Sequence, residues 1–308
     1  MDNHTTIGID VAKNFLDICI LPTGEVFHLP NTKYGFKKIL KIFSQYDNIF
    51  RIVIEHTGGY QKAIAEFLIE HDFPVSVINP ARARFFAKAC GKRAKTDAID
   101  AEILALFGAQ QEPELTKPEN NKINELRQLV HRRGQIIKMI ISEKNRLDKN
   151  PCAELKKSLN HLIKVLEKEL EKISFSVQNI IKETPSLNKK QKILQSVQGI
   201  GPECTAVLIA EVPELGMVGR QQIAAMIGLA PINRDSGSKK GHAFIQAGRK
   251  YVRCALYMPT LVAATHWNPI LKEYYDRLVA AGKPKKVVLT ACMRKMLVYL
   301  NSLIAKNI

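Results

Sequence analysis

The sequence predicts a mixed α/β domain, then a long helical hairpin, then a mainly helical domain. Three observations lead there. Residues 5–31 hold three short β-rich runs in succession, after which strand-like and helix-like runs alternate. From about residue 119 to 183, apolar residues recur near heptad spacing. Residues 186–308 then read as compact helices interrupted by one polar, glycine-rich loop. Successive strands followed by alternating strands and helices describe a mixed sheet flanked by helices. The expected divisions are 1–115, 116–185 and 186–308.

TTIGIDVA is a compact strand, FLDICILP alternates, and EVFHLPN follows a Thr23-Gly24 turn. KYGFKKILKIFSQY has helical spacing. FRIVIEHT is a strand ending at Glu55, before a Gly58-Gly59 break. YQKAIAEFLIEH is helical, and FPVSVINP is a strand stopped by Pro80. ARARFFAKACG and KTDAIDAEILAL are helical. In the hairpin, Ile123, Leu126, Val130, Ile137, Ile140 and Leu147 form one apolar row. After Asn150-Pro151, Leu155, Leu159, Leu162, Leu166, Ile173, Val177 and Ile180 form another. This spacing predicts a coiled coil whose seam pairs internally or also with a second subunit. Beyond it, LQSVQGIGPECTAVLIAEV reads as helix, Gly-Ile-Gly turn, helix. GLAPINRDSGSKKGHAF is the polar loop, and two further helices end the chain.

The 308 residues include 46 Lys or Arg and 29 Asp or Glu, a formal charge of +17. A surplus of this size points to a polyanion, most simply nucleic acid. It is unevenly placed. Residues 1–115 carry 13 basic and 14 acidic side chains, and the remainder carries 33 and 15. Within the neutral part, Arg82, Arg84, Lys88, Lys92, Arg93 and Lys95 form a run without an acid. The alternative for Arg82 and Arg84 is a solvated helix face. The six cysteines are scattered without a CxxC pair, which fits idle or buried thiols in a reducing compartment. No secretory pattern opens the chain, and no apolar run reads as membrane-spanning, so a cytoplasmic protein is expected.

Four carboxylates carry the chemical argument. Asp10 and Glu55 are expected near strand ends. Asp97 and Asp100 lie one helical turn apart, so they project to one side of a helix rich in Ile, Leu and Ala. Unpaired carboxylates in such a helix would be costly. A divalent cation removes the cost, and Mg2+ prefers hard oxygen ligands. Two such ions can hold the attacking and leaving oxygens of a phosphodiester. For Asp97 the alternative is a helix-start residue. For Asp10 it is a strand-end turn, or the opening strand of an actin- or sugar-kinase-type ATPase. That ATPase reading needs further glycine-rich phosphate loops, which the sequence lacks.

RDSGSKKGH offers two candidate nucleophiles, Ser236 and Ser238. Serine needs a base, a metal or strong electrostatic help. Gly237 and Gly241 allow close backbone approach to a phosphate, and Lys239, Lys240, Arg249 and Arg253 can offset its charge. The alternative is a solvated Ser/Gly loop. The Gly199-Ile200-Gly201 turn resembles a helix-hairpin-helix, with backbone N–H groups available to a phosphate. A plain tight turn between packed helices is the alternative.

Taken together, GIDVAK, IEHTGGY, VINPARARFFAKACGKRAKTDAIDA, SVQGIGP and GLAPINRDSG…GRKYVRCALY closely resemble the DEDD insertion-sequence transposases. This is the "one-hundred-ten" family, related to Piv-type DNA invertases. The matching pieces run in family order over essentially the whole chain, and the block ending KTDAIDA is the specific one. The resemblance implies a RuvC-like (RNase H-type) first domain with Asp10, Glu55, Asp97 and Asp100 as a metal-binding tetrad. It implies two Mg2+ ions, with Mn2+ as a substitute, a coiled coil, and a transposase domain at the C-terminus. It implies that Ser236 attacks DNA and forms a phosphoserine link. It also implies a structured guide RNA from the same element that pairs with donor and target DNA, and dimers that assemble into a tetramer. The rival expectations are a RuvC-like junction nuclease using water, and a non-catalytic nucleic-acid-binding protein.

Overall fold

The computed structural model describes residues 4–46, 48–91, 96–118, 120–233, 236, 241 and 243–308, and the side chains of Asp97 and Ala98 lie outside that set. The chain divides into two compact units, Met1–Pro118 and Glu119–Ile308.

The first unit is a mixed sheet with helices. Its strands are β1 (Thr5–Val11), β2 (Phe15–Leu21), β3 (Glu25–Pro30), β4 (Ile49–Glu55) and β5 (Val75–Ile78). They lie in the order β3-β2-β1-β4-β5. The first three strands form an antiparallel meander, and β4 pairs in parallel with β1 on one side and β5 on the other. The helices are α1 (Lys33–Phe43), α2 (Lys62–Glu70), α3 (Pro80–Ala89) and α4 (Asp97–Gln111).

Alternation sorts the strand side chains between two faces. Ile7, Ile9, Leu16, Ile18, Ile52 and Ile54 pack with Phe36 and Ile39 of α1 and Ile64 and Leu68 of α2. On the other face, Val53 and Ile78 pack with Ala83 of α3 and Leu104 and Phe107 of α4. Glycine makes that second contact tight. A Cβ on Gly8 would sit 2.0 Å from the Ala101 carbonyl oxygen and 2.4 Å from the Ala105 nitrogen. A Cβ on Gly108 would sit 2.8 Å from Val53 Cγ2 and 3.6 Å from Arg51 Cγ.

These contacts fix the direction of α4. Gly8 pairs with Val53 across the parallel strands, and Thr6 with Arg51. Ala101 meets the sheet at the level of Gly8, whereas Gly108 meets it between Val53 and Arg51. Advancing along α4 therefore means moving back along both strands. Its first turn points toward the strand ends that carry Asp10 and Glu55.

The second unit is helical. Helices α5 (Asn121–Leu147) and α6 (Ala153–Glu183) pack antiparallel. Arg133 Nε donates to Ser174 Oγ at 3.0 Å, and Lys144 Nζ to Glu167 Oε1 at 2.8 Å. The buried stripe is Leu126, Val130, Ile136 and Ile140 on α5, and Leu159, Ile163, Val177, Ile180 and Ile181 on α6. Of the expected seam residues, Ile123, Ile137, Leu147, Leu166 and Ile173 are half-buried, and two are exposed, Leu155 at 49% and Leu162 at 42%. Leu155 and Leu162 form their own seven-residue row beside the row through Leu159 and Leu166. A helix of 3.6 residues per turn can turn only neighbouring rows inward. Ile163, on the opposite side of the Leu159 row, takes the inner place.

The remaining helices are α7 (Pro185–Gln195), α8 (Pro202–Glu211), α9 (Arg220–Ile227) and α10 (Lys250–Val262), then a π-helical turn (Ala263–Trp267), α11 (Pro269–Ala280) and α12 (Lys285–Asn307). Leu208, Ile223, Val252, Leu256 and Leu297 share one core with Leu126, Val130, Val177 and Ile181 of the long helices. By length and composition α12 would suffice to cross a membrane, contrary to the expectation that no run would. Its apolar side is spent on this core, where Val288, Cys292, Leu297 and Leu300 are fully buried, and Arg294 and Lys295 sit midway along it.

Candidate active site

Asp10 and Glu55 share one face of the sheet. Ile7 and Ile9 of β1 face α1 and α2, so Asp10 faces the opposite way, with Gly8, toward α4. By the same alternation Glu55, the last residue of β4, lies on the face of Val53. Ile9 pairs with Ile54, so Asp10 and Glu55 are the next residues along two adjacent parallel strands. Both are partly buried. Asp10 Oδ1 accepts from the Val11 backbone N–H at 3.0 Å. Asp100 is partly buried in the first turn of α4.

The cap of α4 is Thr96, whose Oγ1 accepts from Ile99 N at 3.3 Å. Asp97 is the first helical residue. A carboxylate in the first turn is favoured by the partial positive charge of the helix N-terminus. Among the described residues, no three His, Cys, Asp or Glu side chains are gathered to hold a metal ion, and the Asp97 side chain lies outside them. The donor set suits a hard cation: carboxylate oxygens from two strand ends and one helix start on a single face.

One further acid belongs to this face. Asp17 of β2 is the direct cross-strand partner of Asp10. It is 9% exposed and bonds His28 Nδ1 at 2.7 Å. Opposed residues of an antiparallel pair point to the same side. The alternation in FLDICI carried this signal, but no motif draws attention to it.

The expected nucleic-acid residues meet different fates. Arg82, Arg84 and Lys88 are exposed on α3, and the Arg82 guanidinium lies 5.0 Å from the Phe107 ring centroid. Lys92, Arg93, Lys95, Lys239 and Lys240 lie outside the described residues. Gly199 is a packing glycine: its φ is +94°, and a Cβ there would sit 2.8 Å from the Ala263 Cβ. Gly201 caps α8, and no atom crowds the place of its missing Cβ within 4 Å.

Ser236 is exposed. It lies within an arm closed at its root by the antiparallel pair Ile232 and Phe244, with N···O distances of 2.9 and 3.2 Å. The two arginines expected to face phosphate are instead held within the protein. Arg249 makes a bidentate pair with Glu214, at 2.7 and 2.6 Å. Burial acts to raise the Glu214 carboxyl, but hydrogen bonds from Arg249 and the backbone, with the charges of Arg249 and Arg127, outweigh it and hold the group below the usual glutamate value. The hydrogen bond to Glu214 likewise raises Arg249. Arg253 Nη1 donates to the Ile227 carbonyl at 2.7 Å and also to the Ala247 carbonyl. It thereby joins the end of α9 to the segment that follows the arm. Such forked, charge-assisted bonds are the strong kind. No motif marks Glu214 in the sequence; only the fold brings it to Arg249.

Two family profiles match the chain. A DEDD-type transposase profile matches residues 7–150, and one described as "Transposase IS116/IS110/IS902 family" matches residues 191–276. The chain is 29% identical to the pilin gene-inverting protein of Moraxella bovis over 313 residues, covering 99% of this chain and 97% of that protein. The pilin gene-inverting protein of Moraxella lacunata matches with the same identity and coverage. With one family's profiles on both units, and relatives aligned end to end, the chain belongs to the IS110-type transposases, enzymes that cleave and rejoin DNA.

Proposed function

We propose that this transposase cuts and rejoins DNA through a covalent link at Ser236, with Asp10, Glu55, Asp97 and Asp100 as its metal-binding carboxylates. The observation that carries this reading is the shared face of the sheet. Two neighbouring strand ends present Asp10 and Glu55 there, and the first turn of α4, with Asp97 and Asp100, is directed toward them. The strand order β3-β2-β1-β4-β5, an antiparallel meander extended by parallel strands, supports an RNase H-type fold for this domain. We read the chain as three functional parts: a carboxylate domain (1–115), a coiled-coil hairpin (116–185) and a serine domain (186–308).

Divalent metal, Mg2+ in this reading, supplies positive charge beside the scissile phosphate when bound. The chain's own residues supply the rest. The carboxylates hold the cation and stay ionised because it is there. The Ser236 hydroxyl forms a P–O bond while the P–O bond to one deoxyribose oxygen breaks. Serine loses a proton and the departing oxygen gains one. The phosphodiester energy is kept in the protein–DNA link, so rejoining needs no outside energy source.

The exposure of Ser236 on an arm anchored at both ends supports its role as nucleophile. The positive balance and the absence of a recognisable base-reading motif support delegated specificity, through a structured RNA that pairs with donor and target DNA. The exposed row of Leu155 and Leu162 supports subunit pairing, dimers first and tetramers for exchange.

The test is capture of the covalent adduct. Ser236→Ala should lose the adduct that survives denaturing electrophoresis and keep DNA binding within about threefold. A Ser236→Ala protein that still cuts and joins DNA would leave the water-using nuclease as the reading. Asp100→Asn should reduce metal-dependent cleavage by about a hundredfold or more. Wild-type cleavage in that variant at limiting Mg2+ would remove Asp100 from the tetrad.

A further inference from the structure

We propose that a cavity beside the root of the serine arm receives an unpaired nucleotide of the DNA substrate. The cavity encloses about 580 Å3 and lies wholly within the second unit. It rests on the reading above in one respect, that Ser236 acts on DNA.

Its walls come from both sides of the arm. Leu229 and Pro231 lead into the arm, and Phe244 closes its root by pairing with Ile232. Across from them, α11 contributes Tyr274 and α12 contributes Val287 and Arg294, with Lys283 and Lys286 at the rim. Among the described residues, the lining holds three cationic side chains and no carboxylate. The Tyr274 ring already accepts a cation, with Lys295 Nζ 4.5 Å from its centroid. The lining thus joins apolar and aromatic surface to positive charge.

That pairing of chemistries is selective. A nucleobase offers two apolar π faces, and its phosphates offer negative charge. An apolar peptide would leave Lys283, Lys286 and Arg294 without counter-charges. A base inside an intact stack is out of reach, so the occupant must be unpaired. Strand exchange creates such nucleotides next to the cut. The cavity shares its wall with the arm that carries the nucleophile, so a nucleotide seated there would lie close along the strand to the phosphate under attack. Its role would be to hold that strand while the partners change.

The experiment uses the full chain and a single-stranded oligonucleotide bearing 5-iododeoxyuridine, which cross-links to aromatic side chains on irradiation. Peptide mapping should find the cross-link at Phe244 or Tyr274. The double variant Lys286→Glu with Val287→Glu alters exposed positions on the first turn of α12, so circular dichroism should show an unchanged fold. It should bind the strand on the order of tenfold more weakly, with a shallower salt dependence, and lose the cross-link. Binding retained in the folded variant, or cross-links mapping only elsewhere, overturns the proposal while leaving the transposase reading intact. A dimer that dissociates on Val287→Glu alone, seen by light scattering, makes the cavity a subunit contact instead. No DNA retention by the wild-type protein would remove both readings together.

Discussion

Gly8 shows how a residue without a side chain shapes the site. It sits two residues before Asp10, and the backbone of α4 occupies the space a Cβ would need. Gly8→Ala must push the helix off β1, which should cost about 1–3 kcal/mol and more if α4 cannot shift. Urea unfolding should show a lower midpoint at an unchanged slope. Cleavage should fall further than stability, since the first turn of α4 moves with the helix. At this scale the sequence was informative where a motif concentrates signal. Asp10 and Glu55 stand at strand ends, as GIDVAK and RIVIEHT imply. Asp17 carries no such signal, because one acid in an alternating strand looks like any solvent-facing residue until its register with Asp10 is known. Arg249 and Arg253 looked like phosphate ligands because their intramolecular acceptors, Glu214 and two backbone carbonyls, are distant or carry no sequence mark.

Among the elements, strands and helices were legible because period 2 and period 3.6 are local properties. Each strand read from the sequence appears, as do the helices of both units. The hairpin register was harder, since Leu155, Leu159, Leu162 and Ile163 are all apolar and only packing against α5 chooses among them. The tie between α10 and the Glu214 turn gives a pH prediction. Glu214 is held below its ordinary value, so its stabilising effect is complete above that value and is lost as pH falls through the depressed one. Glu214→Gln should therefore lower the melting temperature by a few degrees at pH 7. The gap from wild type should close as the pH falls through that depressed value. A gap that stays constant on acidification would mean the pair contributes through packing and not through charge.

For the whole molecule, the sequence places the four carboxylates among its first 115 residues, and the serine and the positive surplus among the rest. The row of Leu155 and Leu162 makes a prediction at this scale. Leu162→Glu alters an exposed position, so the fold should persist, while light scattering should show a smaller assembly. An unchanged mass would place the subunit contact elsewhere. The pinned root of the serine arm has a mechanical consequence. Ser236 is only four chain steps from Ile232, a span of at most about 14 Å when fully stretched. In the proposed reading, a DNA end joined to Ser236 is on a short leash. It cannot swing to a new partner by itself, so the recombining strands must be carried past one another by motion of whole domains or subunits.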